Sequence, residues 1–308
     1  MQRIDIVSVC YNCGVDIALV IEDIRKGSYP LHKIRFIVVD NASADDSVER
    51  LRAIEGIDMK IIESGNNLGF GAGCNLAMEY LSAPKTLLLN PDVNLYPDSI
   101  RNLLEFSVHH SYALIWGGRA LDAQGLDDGK GAWREPTLLG IACWALFIDV
   151  LLKKLGWSIP DGYKLKAKDK YIQADAISGC FFLIDTGLLK KLNGFDPRFF
   201  MYSEEIDLCR RAREMGAKPL STTTAKIIHH GSQTLNSINK LNYLYYHKLK
   251  YSQKYWGKHK FKVAKLLVRL ATHFRIVIFS ALAVFKSSTI SKKQLWVDFL
   301  KIQKGWKF

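Results

Sequence analysis

Residues 198–216 read Arg198-Phe-Phe-Met-Tyr-Ser-Glu-Glu-Ile-Asp-Leu-Cys-Arg-Arg-Ala-Arg-Glu-Met-Gly216. The stretch predicts one amphipathic helix that begins after Ser203 as its N-cap and stops at Gly216. Apolar residues recur three and four positions apart, as expected for a buried helix face, at Leu208, Cys209, Ala212 and Met215. The segment therefore predicts a helix with an acidic start and an apolar side that packs on a core.

Three carboxylates lie in the first turn of this helix, at Glu204, Glu205 and Asp207. Glu205 precedes the first two apolar positions by three and four residues, so it is predicted to point along the inward face. The aromatic run just before the helix would shield this carboxylate from water, and such burial shifts a carboxyl pKa towards the range that suits a general base. Asp207 precedes two arginines by the same spacings, which predicts an outward ion pair. Glu204 and Asp207 are candidate supporting acids, and the alternative is that acids simply favour helix N-termini.

Short apolar runs alternate with helical patterns in the first ninety residues. Strands are predicted at 4–10, 34–39, 59–63 and 86–89, and helices at about 15–26, 45–54 and 71–81. Such alternation predicts an α/β fold with a parallel sheet whose ligand lies at the carboxyl ends of the strands. Farther along, we predict a helix at 138–155, a loop at 157–170 and strands at 174–184 and 225–228.

Polar residues follow three of these strands, as Tyr11-Asn12, Asp40-Asn41 and Asn90-Pro91-Asp92. An aromatic ring can stack on a nucleotide base, and a carboxylate can accept a base N–H. A carboxylate near phosphates usually reaches them through a divalent cation. The alternative is that Asx residues terminate strands well. Together the three strand ends predict a nucleotide site at one edge of the sheet.

A glycine-rich segment follows the third strand and reads Asn66-Asn67-Leu68-Gly69-Phe70-Gly71-Ala72-Gly73-Cys74-Asn75. Its glycine spacing is similar to a dinucleotide fingerprint. No acidic ribose partner ends a following strand at the required distance, which argues against a nicotinamide-binding oxidoreductase.

These segments resemble the inverting glycosyltransferases of family 2, which have the GT-A fold, and the rhamnosyltransferase-like branch in particular. The helix stretch with the preceding Gly194-Phe-Asp-Pro is similar to the family's Gly-Phe-Asp-Glu-x-Phe-Phe-x-Tyr-x-Glu-Asp-x-Asp-Leu-Cys-x-Arg. The Asp40 and glycine-rich segments also match family patterns. Asn90-Pro91-Asp92 resembles the Asp-x-Asp metal motif with asparagine in its first position, and His229 fits a metal-binding histidine segment better than His230.

The resemblance implies a GT-A, Rossmann-like, mostly parallel sheet flanked by helices. It implies that Glu205 is the catalytic base, in a place where the family usually has aspartate. Asp92 and His229 would bind Mg²⁺ or Mn²⁺. The nucleotide would be bound by Tyr11, Asn12, Asp40, Asn41, Asn67, Gly69, Asn75 and Asn90.

The activity implied by the resemblance is transfer of a sugar, with inversion, to a hydroxyl of a lipid-linked glycan during synthesis of a cell-surface polysaccharide. The expected donor is dTDP-L-rhamnose, with another nucleotide sugar such as a UDP-sugar as the alternative. A non-catalytic nucleotide-binding membrane adaptor is a further alternative, but the presence of Glu205, Asp92 and His229 argues against it.

The net charge of +13 is concentrated at one end of the chain. Residues 236–308 hold sixteen Lys and Arg and one acid, Asp298, whereas residues 1–235 hold 27 Lys and Arg against 29 acids. We therefore predict a catalytic domain at 1–235, with a nucleotide half at 1–118 and an acceptor half at 119–235. Residues 236–308 are predicted to be a basic, aromatic helical extension.

The extension suits an anionic membrane surface, because its basic and aromatic residues alternate. Its longest uncharged apolar run, Ile276 to Phe285, has ten residues, too few to cross a bilayer. The expectation is a peripheral protein at the cytoplasmic face of the cell membrane. Nucleic-acid binding is not expected, because no nucleic-acid motif accompanies the charge. The six scattered cysteines predict reduced thiols, and Cys10-Tyr-Asn-Cys13 is interpreted as accidental.

Overall fold

Buried apolar runs near the start of the chain form the parallel half of a mixed sheet. The computed structural model describes residues 1–127, 129–155, 163, 169–231, 237–285 and 287–308. Four strands pair in parallel in the order β3-β2-β1-β4: β1 (Ile4–Cys10), β2 (Ile34–Asp40), β3 (Asp58–Glu63) and β4 (Lys85–Leu89). Strands β1, β2 and β4 are almost continuously buried because both faces of a parallel sheet are covered.

The second half of the sheet mixes strand directions. Its members are β5 (Val93–Leu95), β6 (Ile115–Leu121), β8 (Tyr171–Gln173), β10 (Phe181–Asp185) and β11 (Leu220–His229). The order continues from β4 as β10-β6-β11-β5, with β8 also paired to β11. Strand β10 is antiparallel to both neighbours, whereas β6 and β11 are parallel to each other. A separate pair joins β7 (Ala132–Trp133) to β9 (Ala176–Ile177).

Helices flank this sheet and also form a group near the C-terminus. They are α1 (Gly14–Lys26), α2 (Ser47–Arg52), α3 (Phe70–Leu76), α4 (Ser99–His109), α5 (Leu138–Ala145), α6 (Ile148–Lys154), α7 (Thr186–Lys191), α8 (Glu204–Glu214), α9 (Ser237–Tyr255), α10 (Lys258–Ala283) and α11 (Ile290–Lys304). The predicted single helix at 138–155 is two helices, because the backbone turns left-handed at Phe147, with φ 61°. The predicted loop at 157–170 lies mostly outside the described residues.

The chain divides into two compact units. The sheet unit comprises Met1–Arg134, Tyr163–Phe200 and Glu204–Gln233, and the helical unit comprises Glu135–Gly162, Met201–Ser203 and Thr234–Phe308. The division is not linear, since the helical unit takes in two segments that the sequence placed in the acceptor half.

Two apolar cores lie in the sheet unit. Alternate strand residues enter different cores, as with Ile6 and Val7 of β1. Helices α1 and α4 contribute to the core of Ile6, and α7 and α8 contribute to the core of Val7. The α/β fold with helices flanking a central sheet, predicted from the alternation of apolar runs, is confirmed.

Aromatic side chains form much of the core of the helical unit. Tyr245 stacks on Trp144 with ring centroids 4.0 Å apart, and Tyr251 and Phe299 are fully buried. The rings that alternate with lysines in the sequence therefore pack largely inward. Among the described residues, α10 is the one helix that is long and apolar enough to cross a membrane, judged by length and composition alone.

Candidate active site

The carboxylate of Asp40 lies at the carboxyl end of β2 and is 3% exposed. Its Oδ2 accepts a hydrogen bond from the Ser43 backbone N–H at 3.1 Å. Its Oδ1 is buried and has no hydrogen-bond partner within the described parts of the chain. A buried carboxylate oxygen without a partner is costly, so this atom is suited to accept an N–H from a ligand.

Asn12 joins the loops that follow β1 and β2. Its backbone N–H donates to Ser43 Oγ at 2.9 Å, and its side-chain Oδ1 accepts from the Ala44 N–H at 2.8 Å. The neighbouring Tyr11 is 37% exposed. The two strand ends are thus held together by Asn12, while the ring of Tyr11 is accessible for stacking.

Two asparagines predicted to bind nucleotide form hydrogen bonds to the backbone of the glycine-rich loop. Asn41, 2% exposed, donates to the Gly69 carbonyl at 3.0 Å, and Asn67 accepts from the Gly69 N–H at 3.1 Å. Gly69 has φ 81°, and a Cβ there would lie 2.0 Å from the carbonyl oxygen of Phe200. Only glycine fits this position. The nucleotide role of these residues stays a prediction beside this structural one.

Asn75 connects α3 to the segment that leads towards α8. Its Oδ1 accepts from the Phe195 N–H and its Nδ2 donates to the Phe195 carbonyl, both at 2.8 Å. A Cβ on Gly71 would lie 2.9 Å from Phe195 Cβ and 3.4 Å from Glu204 Cβ. The glycine-rich segment therefore packs directly against the first residue of the acidic helix. The nucleotide contact of Asn75 stays a prediction.

Glu204 and Glu205 begin α8 as a buried acid pair. Glu204 is 4% exposed and Glu205 is half-buried. In the described structure, neither Oε2 atom has a hydrogen-bond partner. Burial, and then the charge of Glu205, hold the pKa of Glu204 well above its ordinary value, whereas burial raises the pKa of Glu205 to about 7. Glu205 is therefore the first of the two to ionise and the more accessible one.

The backbone before this pair is strained. Tyr202 and Ser203 have φ values of 66° and 69°, in the left-handed region. That conformation costs an L-residue about 1–2 kcal/mol. It also differs from the extended backbone expected of a capping serine. Two consecutive residues with left-handed backbone therefore come directly before the acid pair.

Two sequence predictions for α8 are wrong. Asp207 was expected to face outward, but it is fully buried and pairs with Arg211 at 2.8 Å. The guanidinium of Arg211 also donates to the carbonyls of Leu192 and Gly194, which draws the ion pair inward. Met215 was expected on the buried face but is 51% exposed, because α8 ends at Glu214.

Asp92 and His229 lie side by side, since β5 and β11 pair with Val93 opposite His229. Asp92 Oδ2 is 3.5 Å from His229 Nε2. Burial acts to raise the pKa of Asp92, but the hydrogen bond and charge of His229 outweigh it, helped by Asn90, so the pKa is lowered. Asp92 is thus held in its anionic form.

Asp92 and His229 are suited to act together as ligands of one divalent cation. Asp92 Oδ1 is buried without a hydrogen-bond partner among the described residues. The described residues contain no cluster of three or more metal-ligating side chains. Mg²⁺ and Mn²⁺ are typically held by one or two protein groups together with substrate phosphates and water, which suits a two-residue site.

Asp16 and Asn94 lie near Asp92 and were not predicted, whereas His230 was considered and ranked below His229. Asp16, in the first turn of α1, has a pKa raised by partial burial and by the charge of Asp92. His230 bonds through Nε2 to Asn94 Oδ1, and its N–H donates to the Asp92 carbonyl at 3.0 Å. An acid in a first helical turn has an ordinary explanation, so the sequence carried no signal for Asp16.

Residues 5–192, more than half of the chain, match the family Glycosyl transferase family 2. The chain belongs to that family. Its α/β fold agrees with this membership.

Several curated proteins are similar to this chain. The hexosyltransferase Agl10 of low-salt glycan biosynthesis from Haloferax volcanii is 29% identical over 185 residues, covering 58% of this chain and 53% of that protein. An N-acetylglucosaminyl-diphospho-decaprenol L-rhamnosyltransferase from Mycobacterium tuberculosis is 23% identical, covering 64% and 66%. The rhamnosyltransferase WbbL of Escherichia coli is 25% identical, covering 59% and 72%. The chain thus spans about half to two thirds of the first two relatives.

Solved structures share the fold. A mannosyltransferase from Pyrobaculum calidifontis in complex with GDP-Man and Mn²⁺ has a TM-score of 0.62 at 13% identity, covering 99% of this chain and 87% of that one. GalNAc-T7 with UDP, GalNAc and Mn²⁺ has a TM-score of 0.59 at 12% identity, covering 98% and 56%. These matches show that the fold is GT-A.

Proposed function

We propose that this chain is an inverting glycosyltransferase that moves a sugar from a nucleoside diphosphate donor to a hydroxyl of a lipid-linked glycan. The observation that carries the proposal is the acid pair at the start of α8. Glu205 is half-buried, has an unpartnered carboxylate oxygen within the described structure and has a pKa of about 7. A general base is most effective when its pKa lies near the working pH.

The proposed reaction needs a single base. Glu205 accepts the proton of the acceptor hydroxyl as that oxygen attacks the anomeric carbon. The bond from the anomeric carbon to the diphosphate oxygen breaks on the opposite side, so the configuration inverts. No covalent enzyme intermediate is needed, and the diphosphate leaves with the electron pair of the broken bond. Glu204, whose pKa is held higher, stays protonated and can donate a hydrogen bond to its neighbour.

Donor binding is assigned to the polar strand ends. Asp40 Oδ1 would accept a base N–H, and Tyr11 would stack on the base. Asp92 and His229 would hold Mg²⁺ or Mn²⁺, which offsets charge on the departing diphosphate when bound. The Mn²⁺ in the two solved relatives supports this assignment.

The best donor candidate is dTDP-L-rhamnose, because two relatives are named rhamnosyltransferases. The Haloferax relative is named only a hexosyltransferase, and solved structures with this fold contain GDP-Man or UDP-GlcNAc, so UDP- and GDP-sugars are the alternatives. A lipid-linked acceptor is supported by the diphospho-decaprenol in the name of the mycobacterial relative. Synthesis of a cell-surface polysaccharide is the matching cellular role.

The test is transfer from a panel of donors, namely dTDP-L-rhamnose, UDP-glucose, UDP-N-acetylglucosamine and GDP-mannose. Each is supplied with Mn²⁺ and a polyprenyl-diphosphate-linked N-acetylglucosamine. We expect one donor to give a product whose new bond has the anomeric configuration opposite to that of the donor, as determined by NMR. Retention of configuration would contradict the single-base mechanism. Nucleotide binding without donor hydrolysis or transfer would favour the adaptor alternative.

We also propose that the protein is peripheral at the cytoplasmic face of the cell membrane and docks through one face of α10. Apolar residues there recur at helical spacing and are 44% to 64% exposed, at Val263, Leu266, Leu270, Phe274 and Val277. Exposed cations accompany them, at Lys262, Lys265 and Arg269. A contiguous exposed apolar stripe beside basic residues fits an anionic lipid surface.

The other side of α10 packs within the helical unit, which argues for lying on the membrane rather than crossing it. Ala264 and Val268 are buried in the core with Ile141. Arg275 donates to the Trp144 carbonyl at the end of α5 and lies 4.2 Å from the centre of that indole ring. A helix fixed in this way presents one face to lipid.

Surface substitutions test the docking face better than truncation, because removal of the tail would remove a core. Changing Leu266, Leu270 and Val277 together to Glu should lower binding to anionic vesicles. Each half-inserted apolar side chain contributes about 1 kcal/mol, so the triple change should cost roughly 3 kcal/mol, on the order of 100-fold in partitioning. Co-sedimentation with phosphatidylglycerol vesicles at low and high salt measures the effect.

The matched control changes Leu19 and Val108, which are equally exposed on the sheet unit, to Glu. This control should bind vesicles as the unchanged protein does, and both variants should retain hydrolysis of a soluble donor. Wild-type protein that ignores anionic vesicles at low salt would refute the proposal. A stable dimer that the triple change dissociates, without vesicle binding, would assign the face to a second copy of the chain.

A further inference from the structure

Met201, Tyr202 and Ser203 lead the chain into α8. They cluster with the C-terminal helices rather than with the sheet, and the next residue, Glu204, begins α8. Tyr202 and Ser203 both hold left-handed backbone. Non-glycine residues keep such a conformation only where the surroundings impose it, and strain of this kind concentrates at functional sites.

His247 provides a fixed contact to this segment. Its side chain lies in α9 and is 2% exposed. The ring Nδ1 is hydrogen-bonded to the Met201 carbonyl oxygen. Since a carbonyl oxygen only accepts, Nδ1 carries the hydrogen and donates it.

Two aromatic rings lie beside the imidazole of His247. The ring of Tyr243 lies parallel to it, with centroids 5.9 Å apart and an interplanar angle of 5°. The ring of Tyr246 lies 5.3 Å away. Burial lowers the pKa of His247 to about 4, so the ring is neutral near pH 7. A buried, neutral imidazole that lies beside two aromatic rings is a rigid hydrogen-bond donor rather than a proton carrier.

We propose that His247 is a positioning residue for the acid pair. By holding the Met201 carbonyl, it keeps Met201 to Ser203 in the left-handed path from which Glu204 and Glu205 start. Without that hydrogen bond, Tyr202 and Ser203 can relax to ordinary backbone conformations, and the carboxylate of Glu205 shifts. This inference rests on the proposed function in which Glu205 is the base.

The test compares two substitutions of the same residue. His247→Leu removes the donor and keeps an apolar side chain, whereas His247→Asn keeps an N–H close to the position of Nδ1. A displacement of about 1 Å can cost on the order of 100-fold in rate, so His247→Leu should lower kcat by roughly 10- to 100-fold. The donor KM should stay unchanged, and His247→Asn should retain most of the activity.

The pH profile separates positioning from a general loss of folding. In His247→Leu, a loosened Glu205 is better hydrated, so the midpoint of the acid limb of kcat should fall from about 7 towards the ordinary range of glutamate. A merely structural role would lower the yield or the Tm and leave that midpoint in place. The matched control is His273→Leu, whose exposed ring makes a similar Nδ1 contact to the Arg269 carbonyl at 2.8 Å. It should not change kcat or the midpoint.

A second change tests the role of the backbone. Ser203→Gly in the His247→Leu background should recover part of the lost rate, because glycine adopts left-handed backbone without steric cost. Folded His247→Leu with wild-type kcat and midpoint would overturn the inference, as would His247→Asn being equally impaired. If His247→Leu is insoluble, His247→Gln takes its place, since its amide does not reach the Nδ1 position. Wild-type protein that transfers no sugar would instead refute the proposed function.

Discussion

Glu205→Gln should lower turnover about 100-fold or more while leaving donor affinity unchanged, because an amide cannot accept the proton of the acceptor hydroxyl. The substitution is nearly isosteric, so the segment before α8 should keep its conformation. Single-turnover transfer measures the chemical step, and calorimetry with the nucleoside diphosphate measures donor binding. Equal losses in both would mean that Glu205 serves binding rather than proton transfer.

Glu204→Gln is the matched control for this change. Burial and the charge of Glu205 hold the pKa of Glu204 well above its ordinary value, which favours its protonated form, and its amide analogue can likewise donate a hydrogen bond to Glu205. We expect a much smaller loss of turnover than in Glu205→Gln. The reverse ranking of the two variants would transfer the base to Glu204.

Turnover should rise with pH through about 7, where Glu205 loses its proton. Stability should respond in the opposite direction. Because the folded protein holds this proton more tightly than the unfolded chain does, the contribution of Glu205 is fully present below the unfolded pKa and is lost as the pH rises through about 7. In Glu205→Gln this part of the stability loss should be absent, which thermal melts at pH 5 and pH 8 can measure.

The parallel half of the sheet could be predicted because its signals are local. Buried strands such as Ile34–Asp40 are short apolar runs that end in Asx residues, and helices separate them in sequence. The register places Cys10 opposite Asp40, so the strand ends meet at one edge. Because β1 and β2 run in the same direction, this is enough to predict that Tyr11 and Asn41 lie at that edge.

The inward position of Asp207 could not be predicted, because it depends on distant carbonyls. The spacing from Asp207 to Arg211 predicted their ion pair correctly. The same spacing carries no information about Leu192 and Gly194, whose carbonyls hold the other guanidinium N–H groups. An ion pair can be buried when the remaining N–H groups of its arginine also have hydrogen-bond partners in the interior.

The internal aromatic core of the tail was missed for a similar reason. Tyr245 and its neighbours alternate with lysines, a pattern that fits both a lipid-facing surface and an amphipathic helix with a buried side. Tyr245 is buried because it stacks on Trp144, which lies about one hundred residues earlier in the sequence. The exposed apolar residues of the tail are instead found on α10, at Leu266 and Leu270.

Asp92→Ala and His229→Ala should each weaken cation-dependent binding of the nucleoside diphosphate. A contact to a charged group is worth about 1.5–3 kcal/mol, so each change should cost roughly 10- to 100-fold in affinity with Mn²⁺ present. The two losses should be less than additive, because both residues act on one ion. Calorimetric titration of dTDP and UDP, with Mn²⁺ and with excess chelator, gives these numbers directly.

Glu205→Gln is the internal control, since the acid pair is assigned to the acceptor side and should leave this affinity untouched. The lowered pKa of Asp92 keeps its carboxylate ionised throughout the range in which Glu205 titrates, so Asp92 itself should add no pH dependence to cation-dependent binding there. Nucleotide affinity and transfer that are undiminished in chelator would remove the cation from the reaction and leave the diphosphate to basic side chains.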